Sequence, residues 1–299
     1  MTAALVNIFA LSFIAAMLAA VMLIAWRSFG RPRYAMIWAI AFGVATVEWV
    51  SNLFIRFHAS DNLLLCSLVV GLCCLSNALI AIGFVQRTRP GATLAWPLIA
   101  AVAAAGAIAT IVFLFPQRDL RDATWLFFAG SMLAIGAGTI ARSIRTASLA
   151  ERAAMAMLIL FALVDFGLGT LALGQGVSGD SERYQLYRLV LVLLYPLAFI
   201  GVGLFSVFLV AADLAETMRM LATSDELTGI YNRRGFEESA ERAIRNAQRQ
   251  RQPLAVVVGD IDNFKAVNDK HGHSTGDRAL KHFANRLERM VRRGDLIGR

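Results

Sequence analysis

The chain has little charge and almost no histidine. Asp, Glu, Lys and Arg make up 17% of its 299 residues against 58% apolar residues, and there are 4 histidines. A soluble domain of this length would need a far more polar surface, so lipid is the solvent for most of the chain. Cysteine is scarce too: Cys66, Cys73 and Cys74 all fall in one apolar stretch. They form neither a C-x-x-C pair nor a disulfide framework and read as small packing residues. His58 is the only histidine before the C-terminal part, which argues against haem or copper held by paired histidines. No basic stripe is interleaved with aromatics, so nucleic acid is not expected as a partner. The net charge of +8 reads instead as membrane orientation and attraction to anionic lipid.

What is present in quantity is the apolar run. Runs of about 20 residues are long enough to cross the hydrocarbon core as helices. Seven are expected, near 3–26, 34–55, 63–85, 94–115, 123–141, 153–174 and 186–212. The odd loops carry Arg27, Arg31 and Arg33, then Arg87 and Arg89, then Arg142, Arg145 and Arg152. The even loops carry Arg56, then Arg118, Asp119, Arg121 and Asp122, then Asp180, Glu182 and Arg183. This asymmetry places the odd loops and the C-terminus in the cytoplasm and the N-terminus outside. The first run lacks a small-residue cleavage site and reads as a retained span. No outer loop is long enough to fold separately, so a stimulus would be sensed within or beside the membrane.

Ionisable residues inside apolar runs are functional candidates by default. Glu48 lies in the second run, Asp165 in the sixth and Arg188 near the start of the seventh, with Asn52 one helical turn from Glu48. Sensing and interhelical hydrogen bonding are both open to them. Pro97 and Pro196 are expected to kink their helices. The seventh run continues into DLAETMRMLATS at 213–224, with Val207, Leu214 and Leu221 seven apart and Val210 and Thr217 between them. That is either a short dimeric coiled-coil seam or a single amphipathic linker helix.

After Asp225 the composition turns polar. GFEESAERAIRNAQRQ reads as a helix burying Phe236, Ala240, Ala243, Ile244 and Ala247. PLAVVVGDID reads as a buried strand over 254–260 that ends in acids. GDRALKHFANRLERMV reads as a helix with Leu280, Phe283, Ala284 and Leu287 inward, and LIGR begins a further strand. Together these fit an α/β palm-like domain. Asp260 and Asp262, at the end of a buried strand, suit either a hard cation such as Mg²⁺ or the capping of the following turn.

Two patterns of fixed spacing carry a resemblance. Asp225, Leu227, Thr228, Gly229, Asn232, Arg233, Arg234 and Phe236 form D-x-L-T-G-x-x-N-R-R-x-F. Asp260, Asp262, Phe264, Lys265, Asn268, Asp269, Gly272, His273, Gly276 and Asp277 form D-x-D-x-F-K-x-x-N-D-x-x-G-H-x-x-G-D. The C-terminal part thus resembles the first half of a GGDEF domain, that of the bacterial diguanylate cyclases. The resemblance implies a homodimer that joins two GTP molecules into cyclic di-GMP, in the bacterial inner membrane. It implies Asp260 and the Ile261 carbonyl as ligands of Mg²⁺, two per site, with Mn²⁺ as a substitute. It implies Asn268 and Asp277 on the guanine edge, and Lys265 and the backbone near Phe264 on phosphates. Arg292 and Asp295 stand at the R-x-x-D of the family's product-inhibition site, and their spacing favours that site over an ordinary charged helix end.

The sequence departs from the family in one respect. The Gly-Gly-Asp/Glu-Glu-Phe turn, its acidic metal ligand and the later basic phosphate ligands do not occur within residues 1–299. The expectation is a seven-helix membrane sensor at 1–212, a linker at 213–224 and a partial GGDEF domain at 225–299. The 299 residues alone should be inactive, with the strand at 254–260 short of a neighbour. The alternative is a non-enzymatic membrane receptor with a vestigial dimerisation or partner-binding module. A small transporter is a distant third, since no internal repeat or paired broken helices are visible.

Overall fold

The computed structural model describes residues 2–58, 62–115, 117–173, 182–292 and 294–299. Asp180, counted above in the sixth loop, lies outside them, as does the Arg183 side chain. The described chain divides into two compact units, Met1–Ala212 and Asp213–Arg299.

The first unit is helical: α1 (Thr2–Ser28), α2 (Arg33–His58), α3 (Leu63–Thr88), α4 (Ala95–Leu114), α5 (Arg118–Ala141), α6 (Leu149–Leu173) and most of α7 (Glu182–Thr223). All seven are long and apolar enough to cross a membrane. Lipid offers no hydrogen bonds, so a helix, which pairs its own backbone, is what an apolar run of this length can form there. Phe9, Phe13, Val47, Trp96, Leu163 and Leu197 are all more than half exposed, as side chains facing lipid are.

Burial against lipid gains little, so close packing and specific polar contacts hold the helices together. Trp38 of α2 is fully buried; its Nε1 donates to the Ile80 carbonyl of α3 at 3.1 Å, and its ring meets Phe84 edge-on at 5.0 Å. Gly83 makes this possible, because a Cβ there would run into the Trp38 indole. Ser76 of α3 donates to the Ala41 carbonyl of α2 at 3.0 Å, and Asn7 of α1 to the Val192 carbonyl of α7 at 2.9 Å. Arg87 and Glu151 pair at 2.8 Å across α3 and α6. Ser148 and Glu151 also form a capping box: Ser148 N donates to Glu151 Oε2 at 2.8 Å, and Glu151 N donates to Ser148 Oγ at 3.2 Å.

The two prolines are placed differently. Pro196 does sit inside α7. Pro97, however, falls in the first turn of α4, where its N–H would lack an intrahelical partner anyway, so no helical bond is lost.

The second unit holds the last turns of α7, then α8 (Arg233–Gln250), α9 (Phe264–His271) and α10 (His273–Met290). Among the described residues there is no strand, only isolated bridges from Tyr231 to Ser224 and to Gly298. The strand expected at 254–260 is an unpaired segment, with Val257 90% and Val258 92% exposed. An apolar run becomes a strand only where a neighbour supplies the ladder, and no described segment does so here. The helix faces are covered in part for the same reason. Ala284 is buried, but Ile244 and Phe283, expected inward, are exposed.

Candidate functional site

The residues of the first motif build a joint. Asp225 Oδ1 accepts from the Thr228 N–H at 2.9 Å and from its hydroxyl at 2.7 Å. Gly229, at φ 79°, closes the turn by donating to the Asp225 carbonyl at 2.9 Å. The Thr228 hydroxyl, above all, holds the Asp225 carboxyl below the usual aspartate range, and Arg299 at 3.2 Å adds to this. Asn232 then caps α8 by accepting from Gly235 N at 2.9 Å. Its amide donates to the carbonyls of Ala222 at 3.0 Å and Ser224 at 3.1 Å. Gly235 is required here, because a Cβ would strike the Thr223 carbonyl. The motif thus fastens the end of α7 to the start of α8.

The second motif occupies the corner where α9 meets α10. Gly272, at φ 82°, turns the chain between them. Asn268 of α9 is half-buried and its side chain lies on Gly276 of α10, where a Cβ would stand 2.9 Å from Asn268 Cγ and 3.2 Å from the Phe264 ring. This sets the Asn268 amide beside the residue that precedes Asp277, whose side chain is exposed. A carboxamide and a carboxylate together offer the donor and acceptors that a guanine edge matches. Lys265 is exposed on α9.

Asp260 is exposed and its Oδ1 accepts from the Ile261 N–H at 2.9 Å. Among the described residues no group of three or more His, Cys, Asp or Glu could hold a metal ion. Mg²⁺ wants about six oxygens in near-octahedral order. The Asp260 carboxylate and the Ile261 carbonyl could supply two of them.

Arg292 and Asp295 close a local turn: Arg292 N donates to Asp295 Oδ2, and Asp295 N to the Arg292 carbonyl, both at 2.9 Å. Both also line a cavity of about 610 Å³ within the second unit, with Arg219, Arg242, Glu216 and Glu288. Arg219 and Arg242 carry no motif. Only the packing of α7, α8 and α10 brings them to Arg292, so sequence spacing could not single them out.

Two of the three intramembrane candidates, Glu48 and Asp165, lie within electrostatic reach of the same two groups, Cys73 and Tyr195. Glu48 is buried and accepts from Asn52 Nδ2 at 2.8 Å. Asp165 is buried on α6, with its Oδ1 unpartnered. Arg188 is exposed, with its guanidinium over the Tyr184 ring at 5.6 Å. Of the three, Glu48 lines a cavity in the bundle.

Residues 222–299 match the family model described as diguanylate cyclase, GGDEF domain. The probable diguanylate cyclase DgcC of Escherichia coli is 35% identical over 130 residues, 42% of this chain and 34% of that protein. The diguanylate cyclase DgcS of Shewanella oneidensis is 40% identical over 80 residues, 27% of each chain. The diguanylate cyclase TpbB of Pseudomonas aeruginosa is 42% identical over 78 residues, 26% of this chain and 18% of that protein. The chain therefore spans about a third or less of these relatives' lengths. No solved structure matches it significantly. Motif residues and match agree that residues 222–299 are GGDEF-domain sequence, of the diguanylate cyclase kind.

Proposed function

We propose that the protein is a membrane-bound diguanylate cyclase, with residues 1–212 as an intramembrane sensor, 213–224 as the linker and 225–299 as part of the output domain. The observation that carries this reading is the Asn268 side chain seated on Gly276 beside Asp277, a pair suited to guanine. Two GTP molecules would meet across a homodimer. The 3′-hydroxyl of each attacks the α-phosphorus of the other; two P–O bonds form, two break, and two diphosphates leave. Asp260 and the Ile261 carbonyl are the positions that would contribute oxygens to Mg²⁺ or Mn²⁺. Lys265 would meet phosphate, and Arg292 and Asp295, with Arg219 and Arg242, would bind the product as feedback ligand.

The arginine-rich odd loops support an inner-membrane protein with the N-terminus outside and the C-terminal part in the cytoplasm. The alternative is a receptor without catalysis, whose second unit would serve only for dimerisation or partner binding.

The test is complementation. Residues 1–299 joined to the remaining part of the DgcC domain should convert GTP to cyclic di-GMP, read by chromatography. Asp260→Ala should abolish this, and Asn268→Ala should raise the KM for GTP. The 299 residues alone should yield none, because the Gly-Gly-Asp/Glu-Glu-Phe residues are not among them. A chimera that binds GTP no better than ATP would sink the cyclase reading in favour of the receptor.

A further inference from the structure

A cavity of about 520 Å³ opens in the bundle at the end where α2 finishes and α3, α5 and α7 begin. That is the size of a site for a small organic molecule. We propose that it binds an aromatic carboxylic acid that carries a ring hydroxyl at the end remote from the acid.

The polarity of the lining sets this chemistry. Glu48, Asn52 and Arg56 of α2 all line the cavity at successive spacings of four residues, so they form one stripe. At 1.5 Å per residue, Glu48 and Arg56 stand about 12 Å apart along the helix. Glu48 is buried at one end of the stripe, and Arg56 is exposed at the other. Trp49 Nε1 is buried without a hydrogen-bond partner, and Trp49 also lines the cavity. The inner end thus presents the Glu48 carboxyl group, with oxygen acceptors, and the Trp49 indole N–H, which donates. A hydroxyl answers both, donating to Glu48 and accepting from Trp49. An ammonium group could donate but not accept, which decides against an amine.

The walls are aromatic. Tyr195 of α7 meets the Trp125 ring of α5 edge-on at 5.3 Å and the Trp49 ring at 5.8 Å. An aryl ring suits such walls better than a flexible chain does. At the mouth Arg121 is paired with Asp122 at 3.1 Å and Arg118 shares that carboxylate as a charge partner, whereas Arg56 is in no ion pair among the described residues. The exposed Arg56 guanidinium, with Arg118 on the same cavity, suits a carboxylate.

The cavity also reaches Pro196, the residue of α7 that cannot close a helical hydrogen bond. A ring wedged beside Tyr195 therefore bears on the one weak turn of the helix that continues to Thr223. Control of output through that turn rests on the proposed function; binding does not.

The test is binding to the full chain in nanodiscs of phosphatidylcholine and phosphatidylglycerol, read by tryptophan fluorescence. The probe is 3-(4-hydroxyphenyl)propionate, set against 3-phenylpropionate, which lacks the hydroxyl, and tyramine, which lacks the acid. The probe should bind saturably and about tenfold more tightly than either. Arg56→Ala with Arg118→Ala, both at exposed positions, should weaken it about tenfold and leave tyramine unchanged. Glu48→Leu should remove the preference for the hydroxyl; Glu48→Gln, which keeps an acceptor, should retain part of it and covers a Leu variant that fails to fold. Absence of saturable binding, tyramine binding as tightly as the probe, or indifference to the arginine changes would overturn the proposal. So would a phospholipid, found by native mass spectrometry, that occupies the cavity and excludes the probe. None of these outcomes depends on cyclic di-GMP, so failure here leaves the cyclase reading standing.

Discussion

Asn232 donates its side-chain amide to the Ser224 carbonyl at 3.1 Å, across the turn between α7 and α8. The same side chain caps α8 through Gly235 N and reaches the Ala222 carbonyl. Asn232→Ala loses all three bonds. It should destabilise the joint by about 1–2 kcal/mol, as loss of a helix cap does. Hydrogen exchange across residues 220–236 should speed up by about tenfold or more, while α10 stays as protected as before. Equal acceleration in α10 would mean that Asn232 supports the whole unit rather than the joint.

Asp225 gives that joint a pH dependence. Its folded carboxyl is held below its ordinary value, first by the Thr228 hydroxyl, so its contribution to stability is complete above the unfolded value of about 3.9 and fades as pH falls through the lower folded value. The unfolded chain takes up the proton first, which is why acid favours unfolding. Thr228→Val removes the leading cause. It should flatten the loss of melting temperature between about pH 5 and pH 3. A steeper loss in the variant would show that the depression of Asp225 comes from elsewhere.

The sequence carried the apolar bundle well and the second unit unevenly, for a physical reason. A membrane helix is specified locally: lipid demands about 20 apolar residues with self-paired backbone, and 63–85 or 123–141 meet that demand without reference to any neighbour. A strand is specified by its partner. Residues 254–260 have the right composition, yet Val257 and Val258 stand exposed because no described segment pairs with them. Pro97 was misread because its effect depends on its place in the helix rather than on its presence. Asn232 was visible as a motif letter, but its three bonds were not. Arg219 and Arg242, and the convergence of five helices on the cavity that Glu48 lines, lie beyond any local pattern.

Gly83 tests the packing of the bundle. Its missing side chain admits the Trp38 indole, which is fully buried and donates to Ile80. Gly83→Ala should destabilise the bundle by about 1–3 kcal/mol through overpacking, because the atom it meets belongs to a rigid ring. Gly106, with nothing within 4 Å of an added Cβ, is the control, and Gly106→Ala should leave the melting temperature unchanged or raised. If both variants melt alike, helix propensity rather than contact with Trp38 governs this site.

The corner of α9 and α10 allows structure to be separated from recognition. Gly276→Ala places a methyl group on the Asn268 carboxamide. The single change should displace Asn268, destabilise the corner by about 1–3 kcal/mol and weaken GTP binding. Asn268→Ala should weaken GTP binding as well, but it relieves the crowding. The double variant should therefore be more stable than Gly276→Ala alone, a coupling of about 0.5–3 kcal/mol in a double-mutant cycle. It should still bind GTP poorly, because the amide proposed to face guanine is gone. Melting temperature and GTP affinity, measured on the same four proteins, should thus part company. If GTP binding returned along with stability, Asn268 would be a packing residue, and guanine would have to be read elsewhere, with Asp277 the next position to change.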